Sequence, residues 1–201
     1  MRVALDDGII RVIKDRRTVR KFNSRQVSSE LVKTLIDAAR WAPCPNNVQT
    51  WRFIVCRHGS VVNRDVIAYL KKKSKETSVG VSVFINDAVK TLEAAPLVIF
   101  VLNTMELAKR LSVLGPYYKN KGNLFEHQAV SAAIQNILLC AEQFHLGAVW
   151  LGSPVFVRSG IERILKVESE LCAVLALGYY DQKPRAVSRL PVDEIYRVMS
   201  R

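Results

Sequence analysis

Residues 96–102, PLVIFVL, are apolar without interruption, and residues 172–179, CAVLALGY, repeat the pattern. A strand with one wet face alternates apolar and polar residues, whereas an unbroken apolar run of this length belongs to a strand covered on both sides. Both runs are therefore expected at the centre of a sheet. A third β-rich run, WRFIVC at residues 51–56, follows a turn.

Outward from these strands the spacing becomes helical. Residues 3–14 carry apolar side chains at helical intervals, and Ser28 or Ser29 can cap a second helix through Glu30, Leu31, Leu35, Ile36 and Ala39 that ends at Pro43. Residues 16–27 then form a link between two helices. A further helix is expected over residues 61–73, followed by a polar, mobile stretch to about Gly80. Residues 127–144, HQAVSAAIQNILLCAEQF, are apolar nearly all round, which predicts a buried helix and a candidate subunit interface. Helices gathered at the start, with separated strands, favour an α+β fold over a regularly alternating βαβ sheet. In the absence of an internal repeat or long linker, residues 1–201 read as a single domain.

Bulk properties narrow the function classes. A hydrophobic content of 49% supplies a sizeable core. The formal net charge of +12 favours polyanions, acidic proteins or anionic membrane surfaces, but the basic residues are scattered. The one dense run, Lys71 to Lys73 with Lys75, reads as a solvated helix end. A nucleic-acid-binding module would need aromatic residues interleaved with the basic ones, and the 8% of aromatics fall mostly in core-like runs. Cys44, Cys56, Cys140 and Cys172 show no C-x-x-C spacing and read as reduced thiols of a cytoplasmic protein. The acids among the first residues and the lack of a long apolar run argue against a signal peptide and a membrane span. Neither a Rossmann G-x-G-x-x-G nor a P-loop is present. Glu142 and His145 make one E-x-x-H without the second pair a di-iron site needs, and His58 and His127 have no ligand partners nearby in sequence, so no metal site is expected.

Four stretches could carry chemistry. In RRTVRKF, Arg16, Thr18 and Arg20 alternate along an extended link, and guanidinium forks with a hydroxyl suit a phosphate; exposed charge is the alternative. In APCPNNVQTW, Asn46, Asn47 and Gln49 could hydrogen-bond a heteroaromatic ring, or cap the backbone of a helix-stop turn. In GAVWLGSP a buried segment breaks at Gly152, where main-chain N–H groups could approach a flat ligand. Residues 183–191, KPRAVSRLP, place arginines after a core strand.

Together, in this order and at these separations, the four stretches resemble the nitroreductase family, whose members open with R-R-S-x-R-x-F, continue with A-P-S-x-x-N-x-Q-P-W, and later show a W-x-G stretch and a basic loop before L-P. The match runs from about Arg16 to Pro191. The resemblance implies an intertwined homodimer with a mostly antiparallel central sheet flanked by helices. It also implies bound FMN, with NAD(P)H as transient donor and a nitroaromatic, quinone or other flat small molecule as acceptor, in a ping-pong reaction. It places Arg16, Thr18 and Arg20 on the FMN phosphate and ribityl chain with Arg17 beside them, and Arg189 on the phosphate. Pro43, Cys44, Pro45 and Asn47 would come from the partner subunit, with Gln49 in the same turn. Leu151, Gly152 and Ser153 would lie against the ring, and Lys90 near its pyrimidine end. No side chain is expected to be catalytic, because the cofactor carries the hydride chemistry. Similar proteins act as dehalogenases, azoline dehydrogenases or flavin destructases, and residues 74–89 and 107–124 would decide among these reactions. In and beside the latter, Tyr117, Tyr118 and Phe125 could stack on an acceptor or close a dimer edge. This sequence departs from the family at Thr18 for serine, Cys44 for serine and Thr50 for proline.

Overall fold

A computed structural model describes residues 7–199. The expected first helix is present as α1 (Asp7–Asp15), and its beginning at residues 3–6 lies outside the described residues. Helix α2 (Ser29–Arg40) starts where the sequence supplies a cap: Ser28 Oγ accepts the Leu31 N–H at 3.1 Å. There follow β1 (Trp51–Arg57), α3 (Val61–Glu76), α4 (Val79–Ala94), β2 (Leu97–Asn103), α5 (Glu106–Leu111), α6 (Pro116–Gln143), β3 (Gly147–Leu151), α7 (Arg158–Leu165) and β4 (Glu170–Gly178).

The four strands form one antiparallel sheet in the order β1-β2-β4-β3. Every residue of β2 is buried, as the unbroken apolar run requires of a central strand. On one face Leu35 of α2 and Ala133, Ile134 and Ile137 of α6 pack against Ile99, Val101 and Leu175. On the other, Val66, Leu70, Ile85, Leu92 and Ile161, from α3, α4 and α7, cover Val98, Phe100 and Val174. The arrangement is α+β, with helical layers on both sides of the sheet.

Two expectations need correction. The stretch after residue 73 is not a mobile polar segment: α3 runs to Glu76, and α4 begins at Val79. The start of α4, VGVSVFI, is rich in glycine and β-branched residues, which have low helix propensity. Burial of Ile85, Ala88, Val89 and Leu92 under α3 and the sheet overrides that preference. Helix α6 begins well before residue 127, with Pro116 in its first turn, where a missing N–H costs nothing. Much of its apolar surface is also spent within the chain, on β2, β3 and α2.

Residues 181–199, by contrast, are exposed throughout. Leu190, Ile195, Tyr196 and Met199 in this tail expose 66%, 65%, 58% and 79% of their surface. Among the described residues no helix is long and apolar enough to cross a membrane.

Candidate functional site

Strand β3 lies at an edge of the sheet, and the link between α1 and α2 runs along its open side. Thr18 makes a parallel bridge to Ala148, the Val19 N–H donates to the Ala148 carbonyl at 3.0 Å, and the Val19 side chain is buried. Side chains alternate in an extended segment, so anchoring Val19 inward sends Thr18 and Arg20 the other way. Arg17 Nη1 turns back onto the carbonyls of Lys14, at 2.5 Å, and Arg16, at 2.9 Å. Arg16 and Arg20 make no side-chain hydrogen bond or ion pair among the described residues, so their charges remain unspent.

At the far end of β3 the chain leaves through Gly152, where an added Cβ would meet nothing within 4 Å. Its φ of −88° is ordinary, so glycine here bares the main chain rather than relieving strain. The Ser153 hydroxyl donates to the Phe84 carbonyl at 2.9 Å and so joins this strand end to α4. The Leu151 side chain is core, which leaves only its backbone to face a ligand. Lys90, on α4, is exposed, with Asp87 4.0 Å away. Arg20, Phe22, Asp87, Lys90 and Thr91 line one open depression of about 620 Å³. Thus Arg20 and Lys90, assigned to one site on resemblance alone, do share a surface.

The turn before β1 lies elsewhere. Strands β2 and β4 stand between β1 and β3, so within one chain residues 43–49 and residues 16–20 sit toward opposite edges of the sheet. Asn46, Asn47 and Gln49 all adopt left-handed backbone conformations, with φ of 48°, 55° and 49°. Asparagine tolerates that region; glutamine does so at a cost, and such strain concentrates where a loop has a task. Among the described residues the amides do not cap the helix end: Gln49 Nε2 donates to Asn47 Oδ1 at 3.1 Å, and all three side chains face solvent. Pro43 is exposed, and Cys44 and Pro45 are half-buried. Arg189 is exposed on the tail, and among the described residues it donates only to the Ser188 carbonyl. One chain therefore assembles the Arg16–Thr18–Arg20 row, Gly152–Ser153 and Lys90 around β3, and leaves the turn and Arg189 apart.

The sequence offers His127 no ligand partner nearby, and the fold brings two candidates beside it. Its ring, the Glu170 carboxylate and the Cys172 thiol put their ligating atoms within 4.8 Å of one another. Burial, followed by the charge of Glu170, pushes the Cys172 thiol up to about 12. No local motif marks this group, because α6 and the start of β4 meet only in the folded chain. Of the candidate stacking residues, Tyr117 and Tyr118 pack edge to face, and both stay exposed with Phe125 at the start of α6.

Comparison with known proteins places this geometry. The model of the nitroreductase family matches residues 13–179. A Methanothermobacter thermautotrophicus protein provisionally named NADH dehydrogenase/NAD(P)H nitroreductase is 31% identical over 94% of this chain and 85% of its own length. Among solved structures, a BluB-like flavoprotein from Clostridium difficile 630 superposes with a TM-score of 0.78 at 28% identity, covering 96% of this chain and 99% of that one. A provisionally named nitroreductase from Desulfovibrio desulfuricans, crystallised with FMN, superposes with a TM-score of 0.71 at 26% identity, over 94% of this chain and 95% of that one. With the ordered motifs, the antiparallel sheet and a family match over most of its length, the chain belongs to the nitroreductase family.

Proposed function

We propose that this chain is an FMN-dependent oxidoreductase that works with NAD(P)H and a small flat acceptor such as a nitroaromatic or a quinone. The observation that carries the reading is the unspent charge of Arg16 and Arg20 along the open edge of β3, with Arg20 facing Lys90 across one depression. Two guanidinium groups and the Thr18 hydroxyl on an extended link suit a phosphate monoester. The bare main chain at Gly152 suits the close approach of a flat ring. FMN, when bound here, would supply the redox chemistry between the nicotinamide and the acceptor. The chain's own residues bind and orient: Arg16, Thr18 and Arg20 hold the phosphate and ribityl chain, with Arg17 supporting the link. Leu151, Gly152 and Ser153 give the ring a floor, and Lys90 contributes positive charge that favours the anionic reduced form.

Residues 1–201 act as one FMN-binding domain in a cytoplasmic homodimer. Two observations support the dimer: the amide-bearing turn lies far from its own arginine row, and the apolar tail is uncovered in the single chain. The partner's copy of the turn then brings Pro43, Cys44, Pro45, Asn47 and Gln49 to the cofactor, and Arg189 reaches the phosphate from the tail. The test is to purify the protein, record its visible spectrum, identify the released cofactor, and size it. A yellow dimer with stoichiometric FMN is expected; a colourless protein that takes up no added FMN refutes the proposal.

A second reading keeps the cofactor and changes the reaction, since the neighbour with the TM-score of 0.78 is named a BluB-like flavoprotein. Following the flavin itself during turnover with NAD(P)H and oxygen separates the two: FMN persists in a reductase and is consumed if it is the substrate.

A further inference from the structure

A group of metal-ligating side chains gathers where α6 crosses the start of β4. Strands β2 and β4 shift register there: Val101 pairs with Ala173 and Leu102 with Leu171, so Cys172 is the extra residue of a β-bulge. Leu171 packs with the α3, α4 and α7 face, whereas Cys172 and Ala173 both pack on the α2 and α6 face. Bulges re-aim side chains, and this one turns a thiol toward α6. His127 stands opposite, and Glu170 completes the group.

The hydrogen bonds around His127 show what the gap requires. Its Nδ1 lies 2.7 Å from the Asn123 carbonyl, which can only accept, so Nδ1 carries a proton. Nε2 then faces Glu170 Oε2 at 3.4 Å. In a neutral ring Nε2 is an acceptor, so two lone pairs would confront each other unless a proton or a metal ion lies between them. Arg158 Nη1 binds the other carboxylate oxygen, Oε1, and so fixes Oε2 in place. A backbone carbonyl on the distal imidazole nitrogen and a held carboxylate are the supports that metal-binding histidines and acids ordinarily have. Negative charge is in surplus: Glu162 and buried Glu126 also act on Cys172, against Arg158 alone, and Glu126 Oε2 has no partner among the described residues.

We propose that His127 Nε2, Glu170 Oε2 and Cys172 Sγ bind a divalent ion of the zinc class, leaving a fourth coordination position for solvent. Imidazole and thiolate ligands favour zinc over magnesium or calcium, which prefer oxygen. Zinc–nitrogen and zinc–sulfur bonds in a tetrahedron place those atoms roughly 3.5 Å apart; His127 Nε2 and Glu170 Oε2 already stand at 3.4 Å, and Cys172 Sγ lies within 4.8 Å of both. The His127 side chain is 42% exposed, which gives the ion a way in. On binding, the Cys172 thiol and, where the ring is an imidazolium, His127 release their protons to solvent, and no oxidation or reduction occurs. The ion would tie α6 to β4, and nothing in this assignment depends on the flavin.

The test uses the full chain, stripped with a chelator and titrated with zinc against a chromophoric competitor. Zinc K-edge absorption then reports the donor atoms without interference from flavin colour. Stoichiometric zinc with one sulfur neighbour is expected, and zinc should raise the thermal midpoint. Cys172→Ser should remove the sulfur signal, and Cys172→Ser and His127→Gln should each weaken binding by roughly tenfold or more and abolish the thermal shift. Cys44→Ser and Cys140→Ser should leave zinc binding as it was. A zinc shell without sulfur, or wild-type affinity no better than that of His127→Gln, overturns the proposal and leaves a His127 imidazolium–Glu170 ion pair in the gap.

Discussion

The Ser153 hydroxyl donates a 2.9 Å hydrogen bond to the Phe84 carbonyl, and this contact fastens the strand end bearing Gly152 to the helix bearing Lys90. Replacing Ser153 with alanine leaves that carbonyl to water, because the site is accessible. A loss of about 0.5–1.5 kcal/mol follows, which lowers the thermal midpoint by a few degrees in a chain of this size. FMN affinity should fall in parallel, since the strand end proposed to carry the ring loses its anchor to α4. Differential scanning fluorimetry and FMN titration check this, and unchanged values in both would remove the anchoring role.

Arg16 and Arg20 have no side-chain partner among the described residues, so their removal should be felt mainly in ligand binding. A charge-assisted hydrogen bond contributes about 1.5–3 kcal/mol, which is roughly 10- to 100-fold in Kd. Arg16→Gln and Arg20→Gln should each weaken FMN by that factor and leave folding stability nearly unchanged. Arg17→Gln should cost less in binding and more in stability, because its guanidinium is engaged by the carbonyls of Lys14 and Arg16. Riboflavin, which keeps the ribityl chain but lacks the phosphate, provides the control: its binding should suffer much less than that of FMN from loss of Arg16 or Arg20.

Lys90 and Asp87 make opposed predictions from one surface. Lys90→Met removes positive charge near the proposed ring site and should lower the flavin reduction potential; Asp87→Asn, 4.0 Å away, should raise it. Both groups are exposed, so an interaction of roughly 1 kcal/mol is the scale, or about 20 mV for a two-electron couple. Spectroelectrochemical titration of the two variants reads the signs directly. Shifts in the same direction, or none, would detach Lys90 from the cofactor.

How far the sequence reaches is clear from particular residues. The unbroken run of β2 and the Ser28 cap of α2 were legible because both report local chemistry: two covered faces, and a hydroxyl for an orphan N–H. The start of α4 was not legible, because its glycine and β-branched residues disfavour a helix and only packing under α3 imposes one. In the site, the alternation of Arg16, Thr18 and Arg20 was readable, but the meeting of Arg20 with Lys90 is a tertiary fact. The same holds for His127, whose neighbours Glu170 and Cys172 are brought to it by a β-bulge that leaves no trace in the sequence.

The exposed tail leads to a prediction about assembly. Leu190, Ile195, Tyr196 and Met199 are more than half exposed, and a stretch with so many uncovered apolar side chains calls for a covering surface. If that surface is a second copy, truncation after Tyr180 should shift the protein from dimer toward monomer. It should also weaken FMN beyond the loss of Arg189, because the partner's turn would leave with the dimer. Light scattering on the truncated chain, compared with Arg189→Gln alone, separates the two contributions. A truncated protein that remains a dimer with undiminished FMN would rule out the tail as the clasp.

Two glycines test whether the packing and the proposed ring site are distinct. At Gly122 an added Cβ would lie 2.8 Å from Ala108 Cα and 3.0 Å from its nitrogen, and backbone atoms cannot turn aside. Alanine is favoured over glycine in a helix interior by about 1 kcal/mol, yet here it must push α5 off α6, an overpacking that costs about 1–3 kcal/mol. Gly122→Ala should therefore lose stability despite the better helix former, with FMN affinity changed only indirectly. At Gly152 the same added carbon meets open space and an ordinary φ, so Gly152→Ala should leave the thermal midpoint of the cofactor-free protein unmoved. If the flavin ring lies against that bare main chain, the methyl intrudes on it and FMN binding weakens. If Gly152→Ala binds FMN as well as the wild type does, the ring lies elsewhere.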